Sequence, residues 1–302
     1  MNFDIHPDVA QALDQGTPVV ALESTIITHG MPWPQNYDMA QQVETVIRDN
    51  GACPATIAVL NGIIKIGLSD ANLRALAQTL DARKLSRADL AVCVVQAATG
   101  ATTVAATMIL AHMAGIKVFA TGGIGGVHRG AETSMDISAD LQELAQTPVT
   151  VVAAGAKAIL DIPRTLEVLE TLGVPVITYG QDKLPAFWSR TSGIASPLRM
   201  DDPHDIARAH DMRAALGIPG GQLIANPVPI AAEIPQSDID PIIAQALHDA
   251  EAKGIQAKAV TPFLLSRIFE LTGGKSLDTN IALVLNNARV AAQIAAGFVK
   301  LG

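Results

Sequence analysis

Apolar residues fall into short aliphatic runs, separated by longer stretches in which they recur every three or four positions. The runs at 18–27 (PVVALESTII), 55–60 (ATIAVL), 88–95, 117–120, 149–153 and 174–179 (VPVITY) predict β-strands. The helical spacing predicts helices over 37–49, 70–80, 102–114, 138–146, 163–172, 203–216, 238–253, 261–271 and 279–297. Asn61-Gly62 joins ATIAVL to IIKIGL and reads as a two-residue hairpin turn. Pro163, shortly after Asp161, marks a helix start, and Gly173 marks its stop.

Strand–helix alternation through the first 180 residues predicts a largely parallel sheet sandwiched by helices, and the hairpin makes that sheet mixed. The last 65 or so residues read as almost wholly helical and are expected to pack back on the same core. With no internal repeat, low-complexity tract or long Ser/Gly linker, residues 1–302 read as a single domain.

Composition sharpens this picture. Of 302 residues, 49% are hydrophobic but only 3% aromatic, so the core must be built from Ala, Val, Ile and Leu. Strands buried on both faces of a parallel sheet have that aliphatic character. The net charge of −8 argues against a nucleic-acid backbone as partner, which calls for a basic face, while a small anionic ligand still fits a locally positive site. Cys53 and Cys93 form no metal pattern and read as two buried thiols in a reducing compartment. The stretch MNFDIHPDVAQALDQG lacks the basic and apolar regions of a signal peptide, which makes cytoplasm the expectation. Leu90 to Ile116 is free of Asp, Glu, Lys and Arg and long enough to span a bilayer. Its Thr and Gly residues make it read instead as a strand (LAVCVV), a turn and a buried helix, with no membrane partner.

Familiar nucleotide motifs fail. In TGGIGGVHRG, His128 stands where a dinucleotide fingerprint needs its third glycine, and GGKS at 273–276 has Phe269 where a Walker loop needs a glycine. Four other stretches carry chemistry. Glu23 lies in the apolar run VVALESTIITHG, where desolvation would raise its pKa towards neutrality and suit it to proton exchange. It could equally sit at the strand end and cap the next turn. Lys157 lies in TVVAAGAKAILDI, where burial could lower its pKa and free the amine to form a Schiff base. Snorkelling, or pairing with Asp161, is the ordinary alternative.

The third stretch is GGVHRGAETSMDISADL, in which His128, Arg129, Glu132, Asp136 and Asp140 follow a glycine-rich loop and precede a helix start near Ser138. Backbone N–H groups there suit a phosphate, and the carboxylates suit a hard divalent ion. A solvated loop with Ser138 as N-cap explains them too. The fourth is the pair DARKLSRADL and GATTVAATM, where Lys84 or Arg83 could anchor a phosphate and Thr102 and Thr103 open an apolar helix.

Together these stretches resemble the pseudouridine-5′-phosphate glycosidases, the indigoidine-synthase-A-like family. The resemblance covers nearly the whole chain and is carried by ALESTIITHGMPWPQN, GACPATIAVLNGIIKIGL, RKLSRADL, GATTVAATM, GGIGGVHRGAETSMDISADL, AGAKAILDIPRTLE, ETLGVPVITYG, FWSRTSG and LDTNIALVLNNA. It implies a three-layer α/β/α fold and reversible cleavage of the C–C glycosidic bond of pseudouridine 5′-phosphate, giving uracil and ribose 5-phosphate. By resemblance Lys157 is the nucleophile, holding C1′ of the opened ribose as a Schiff base, and Glu23 is the proton donor. Asp136 matches a manganese ligand, one ion per subunit with water filling much of its shell. Ser138, Ala139, Asp140, Lys84 and Val104 match substrate contacts. His128 is expected near the ribose phosphate and Asn280 near the base, with a first-turn helix position as the alternative for Asn280. The resemblance further implies a homotrimer, and a separately encoded kinase that makes the 5′-phosphate. A Schiff-base aldolase acting on another sugar phosphate, or a non-catalytic sugar-phosphate-binding protein, would use many of the same residues.

Overall fold

In a computed structural model of the chain, residues 3–255 and 260–299 are described. The first segment is strand β1 (Phe3–Ile5), helix α1 (Pro7–Asp14), β2 (Val19–Leu22), α2 (Thr25–His29), α3 (Gln35–Asp49), β3 (Cys53–Leu60) and β4 (Ile63–Ile66). Next come α4 (Asp70–Ala77), β5 (Arg83–Leu85), α5 (Leu90–Val95), β6 (Gly100–Thr102), α6 (Val104–Met113) and β7 (Val118–Ala120). They are followed by α7 (Ala131–Ser134), α8 (Ala139–Gln146), β8 (Thr150–Ala153), α9 (Ile162–Thr171), β9 (Val176–Tyr179) and β10 (Leu198–Met200). The chain ends with α10 (Pro203–Ala215), β11 (Gln222–Ala225), a 3-10 turn (Ile230–Ala232), α11 (Gln236–Ala252), α12 (Val260–Leu271) and α13 (Lys275–Val299).

The strands form one mixed sheet in the order β1-β4-β3-β2-β7-β8-β11-β9-β10, with β6 also on β3 and β5 on β6. Among the described strands, antiparallel pairing is confined to β3, which meets β4 and β6 that way. The β3–β4 turn is the expected Asn61-Gly62, with φ of 50° and 77°, as a turn matching the strand twist requires. Helices α3, α10 and α13 pack together on one face, and α6 and α8 on the other, which makes the α/β/α sandwich. Helix α13 is long and apolar enough to cross a membrane, but it packs on β2, β7 and β8 as the central helix of its layer.

The expected helices are present with shifted ends. Asp161 caps α9 by accepting the Arg164 N–H at 3.0 Å, and Gly173 ends it with φ 69°. Two strand expectations are corrected. LAVCVV is helix α5, with Cys93 buried while Val92 and Val95 are exposed. The physical reason is topological: β5 and β6 pair in parallel, so the chain between them must cross over, and α5 is that crossover. The run 18–27 is a strand only to Leu22. Beyond it the Ser24 hydroxyl donates to Ile57 O at 2.7 Å and Thr25 to Thr102 O at 2.7 Å, turning the β-branched residues into α2. Cys93 is buried as expected, whereas Cys53 is only half-buried. Strands β1, β5, β6, β10 and β11, and helix α1, were not legible in the pattern.

Candidate active site

Open parallel sheets bind ligands in the crevice outside the carboxyl ends of their strands, where the strand order reverses. Here β2 leads to β3 on one side, while its other neighbour β7 leads to β8, so the reversal falls between β2 and β7. Glu23 directly follows β2 and Thr121 directly follows β7, and the Thr121 hydroxyl donates to Glu23 Oε1 across that junction. Both residues are buried. Burial is the main reason the Glu23 carboxyl titrates above its usual range; Lys157, the Thr121 hydrogen bond and Lys84 pull it down, and Asp140 pushes it further up.

Lys157 lies beyond β8 on a segment fastened to the glycine-rich loop. Ala154 N–H donates to Gly122 O at 2.9 Å, Ile124 N–H to Gly155 O at 3.1 Å, and Lys157 N–H to Ile124 O at 3.1 Å. Gly155 turns the chain with φ 86°, a conformation L side chains rarely adopt, and a Cβ there would sit tightly at 3.1 Å from Pro185 O. The lysine is therefore held by backbone hydrogen bonds, and Asp161, its expected alternative partner, is engaged with Arg164.

Two cavities meet at these groups. The larger, of about 890 Å³, is lined by Lys84, Val104, His128, Asp136, Ser138 and Asp140 together with Glu23 and Lys157. The smaller, of about 70 Å³, is a mainly apolar slot between Ile26, Met31, Phe187, Leu283 and Val284, with Asn280 at its wall. Glu23, Thr25, Lys84 and Lys157 line both. On β5, Arg83 instead donates to Gln96, leaving Lys84 as the cleft residue of that pair. Ala139 opens α8 but lines neither cavity.

The larger cleft is bordered by residues at the starts of α6 and α8. Thr103 caps α6 and Ser138 caps α8, each with its hydroxyl accepting a backbone N–H. The buried Asp140 carboxylate joins them, taking the Ala105 N–H at 2.9 Å on Oδ1 and the Gly125 N–H at 2.8 Å on Oδ2. Its charge is spent on two backbone amides, which fixes the glycine-rich loop against α6. The paired N-termini offer N–H groups and positive dipole ends to an anion.

His128 and Asp136 face one another across a two-stranded turn. His128 N–H donates to Asp136 O at 3.0 Å, and Nδ1 lies 3.9 Å from Asp136 Oδ2. Among the described residues no three His, Cys, Asp or Glu side chains gather to hold a metal ion. One partly exposed carboxylate on a wide cleft suits only a hard ion that keeps most of its water, and for such an ion Asp136 fits. Glu132, on the same loop, is instead paired with Arg164.

The expected residues did not include Thr121, His29, Phe187 and Thr25, which line the slot. Burial and Lys84 hold the His29 imidazole below its ordinary pKa. Phe187 adopts φ 61°, a costly conformation for a bulky residue, and its ring packs edge-on to Trp188 at 5.1 Å. Position just after a strand was the one signal available for Thr121.

Fold and site define an enzyme class: an α/β/α sandwich that sets a lysine amine and a buried carboxylate between an apolar slot and a wide cleft lined by polar residues. Residues 8–297 match the model of the indigoidine synthase A like proteins, and the chain belongs to that family. It is 69% identical over 294 residues to the pseudouridine-5′-phosphate glycosidase of Paracoccus denitrificans, covering 97% of each chain. To the enzyme of the same name from Jannaschia sp. it is 65% identical, covering 96% of each. Among solved structures it superposes on the prealnumycin C-glycosynthase AlnA in complex with ribulose 5-phosphate with TM-score 0.92, 38% identity and coverage of 99% and 97%. The indigoidine synthase A-like protein of Thermotoga maritima gives TM-score 0.89, 32% identity and coverage of 99% and 96%.

Proposed function

We propose that this enzyme cleaves the C–C glycosidic bond of pseudouridine 5′-phosphate with water, giving uracil and ribose 5-phosphate, and runs the reaction in reverse when both products are supplied. The observation that carries this reading is the meeting of an apolar slot and a polar cleft at Glu23, Lys84 and Lys157. The flat base occupies the slot against Asn280, the sugar phosphate occupies the cleft near His128 and the two helix starts, and the bond between them falls at the shared residues. The similarity to glycosidases of that name, and to a C-glycosynthase holding a pentulose phosphate, supports the same assignment.

The base is attached through carbon, so a carboxylate pair acting on an oxocarbenium-like state does not suffice. Glu23 gives its proton to the ring oxygen O4′ as the furanose opens, and the Lys157 nitrogen becomes bonded to C1′. Glu23 then takes the proton shed by the C1′-bonded Lys157 nitrogen and passes it to C5 of the base, after which the nitrogen lone pair forms C1′=N⁺ and the C1′–C5 pair returns to the base. Water adds to the iminium, releasing ribose 5-phosphate and the free amine. Burial of Glu23 suits a group that must both give and take protons.

The same reading gives Asp136 a water-rich Mn²⁺, which would supply positive charge next to the sugar phosphate when bound. It further proposes a homotrimer working in the cytoplasm on phosphate ester made by a separately encoded kinase.

The test is intact-protein mass spectrometry after borohydride reduction with ribose 5-phosphate, with Lys157→Ala as control. A ribose-phosphate adduct on Lys157, missing from the variant, is expected. Cleavage of pseudouridine 5′-phosphate under conditions that give no adduct would overturn the Schiff-base step. Cleavage of a ketose phosphate with indifference to uracil would favour the aldolase reading.

A further inference from the structure

The buried hydroxyl of Thr121 is not needed to bind sugar, phosphate or metal in the reading above, yet it meets the proposed proton donor directly. Thr121 is itself held at both ends of its backbone. Its N–H donates to Val152 O at 3.0 Å, and its carbonyl accepts the Asn287 Nδ2 proton at 2.8 Å. Asn287 Oδ1 in turn accepts from Asn226 Nδ2 at 2.9 Å, and both amides are buried. Asn226 follows β11 and Asn287 lies in α13, so two further elements lock the position of one hydroxyl.

The other carboxyl oxygen of Glu23 is in a different state. Among the described residues Oε2 has no hydrogen-bond partner, and Glu23 lines both cavities. A hydroxyl hydrogen pointed at Oε1 repels a proton on that oxygen, and the carboxyl proton is left to Oε2. We infer that Thr121 is a positioning residue which, by donating to Oε1, reserves Glu23 Oε2 as the oxygen that gives and takes the transferred proton. This rests on the reading of Glu23 as acid and base.

The charged groups facing Glu23 are Lys157 beyond β8, Lys84 on β5 and Asp140 on α8. With these unchanged, removing the hydroxyl takes away a donor that favours the carboxylate and frees the carboxyl to rotate. Thr121→Val keeps the side-chain volume. It is expected to lower kcat by about ten- to a hundredfold with little change in KM, and to move the Glu23 limb of the kcat–pH profile to higher pH. Thr121→Ser should restore both. In a Glu23→Gln background Thr121→Val should cost nothing further, because there is no carboxyl left to orient. If valine prevents folding, Thr121→Ala asks the same question at smaller volume.

A Thr121→Val enzyme with the wild-type pH profile and kcat, or a serine variant as slow as the valine one, would overturn the inference. The control separates the two levels. Full activity of Glu23→Gln rejects Glu23 as the proton donor. An inactive Glu23→Gln together with an unaltered Thr121→Val rejects the positioning role alone.

Discussion

The Trp188 indole donates to Asn280 Oδ1 at 2.6 Å, sharing its proton with Ser276 O at 3.2 Å. An indole nitrogen can only donate, so this contact fixes the amide of Asn280 with its oxygen inward and its NH2 group towards the slot. Helix α13 supplies the amide, and the turn after β9 supplies the tryptophan that orients it.

The first expectation follows. An oriented NH2 donor suits a carbonyl of the base, so Asn280→Ala should raise the KM for uracil in the synthetic direction about three- to tenfold. The KM for ribose 5-phosphate should stay within about twofold, because the cleft lies on the other side of Lys157. Equal changes in both KM values would show that Asn280 supports the site as a whole. Steady-state synthesis with each substrate varied makes the measurement.

Glu23→Gln replaces a buried carboxyl, already pushed by burial towards its neutral form, with a neutral amide of the same shape. The fold and substrate binding should persist while turnover drops by about 10²- to 10⁴-fold. Isothermal titration with ribose 5-phosphate and a turnover assay together check it; undiminished turnover would mean another group moves the proton.

Asp140→Asn tests the clamp between the glycine-rich loop and α6. One of the two backbone N–H groups on this carboxylate would face an NH2 donor instead, leaving it buried and unpaired. The cost should be about 1–3 kcal/mol, seen as a fall of several degrees in Tm, accompanied by reduced turnover as the loop loosens. A variant with wild-type Tm would show that Asp140 does not hold the loop in place.

His210 gives a pH expectation. It is buried against Phe298 and bonded to Thr150, and burial holds its pKa down to about 4 in the folded protein. In the unfolded chain it titrates near 6.5, so between these values the unfolded state binds more protons. Stability therefore falls as pH drops from about 6.5 to about 4, by at most about 3 kcal/mol from this residue, and levels off below. Urea unfolding across that range should show a shallower slope for His210→Gln than for the wild type. Identical slopes would mean that other groups govern the acid limb.

The sequence by itself determined the layered architecture, because alternating aliphatic runs and helical periods leave little besides a parallel sheet between helices. It also exposed Lys157 and Glu23, since a charged group within an apolar run stands out whatever its neighbours in space. Asn61-Gly62 was equally legible, because positive φ at two successive positions is a local demand that Asn and Gly meet.

Tertiary structure decided the rest for reasons that are not local. Strands β5 (RKL), β6 (GAT) and β11 (QLIA) carry charged, small or polar residues in place of a continuous aliphatic run, and they exist because partner strands complete their hydrogen bonds. LAVCVV has the composition of a strand and became α5 because the parallel pair flanking it needs a crossover. Ser138 announced a helix start, but only folding joined it to the Ala105 and Gly125 amides through Asp140. Thr121 looks ordinary in the sequence; its hydroxyl acquires a task because β7 lies beside β2, which puts it on the carboxyl of a residue 98 positions earlier.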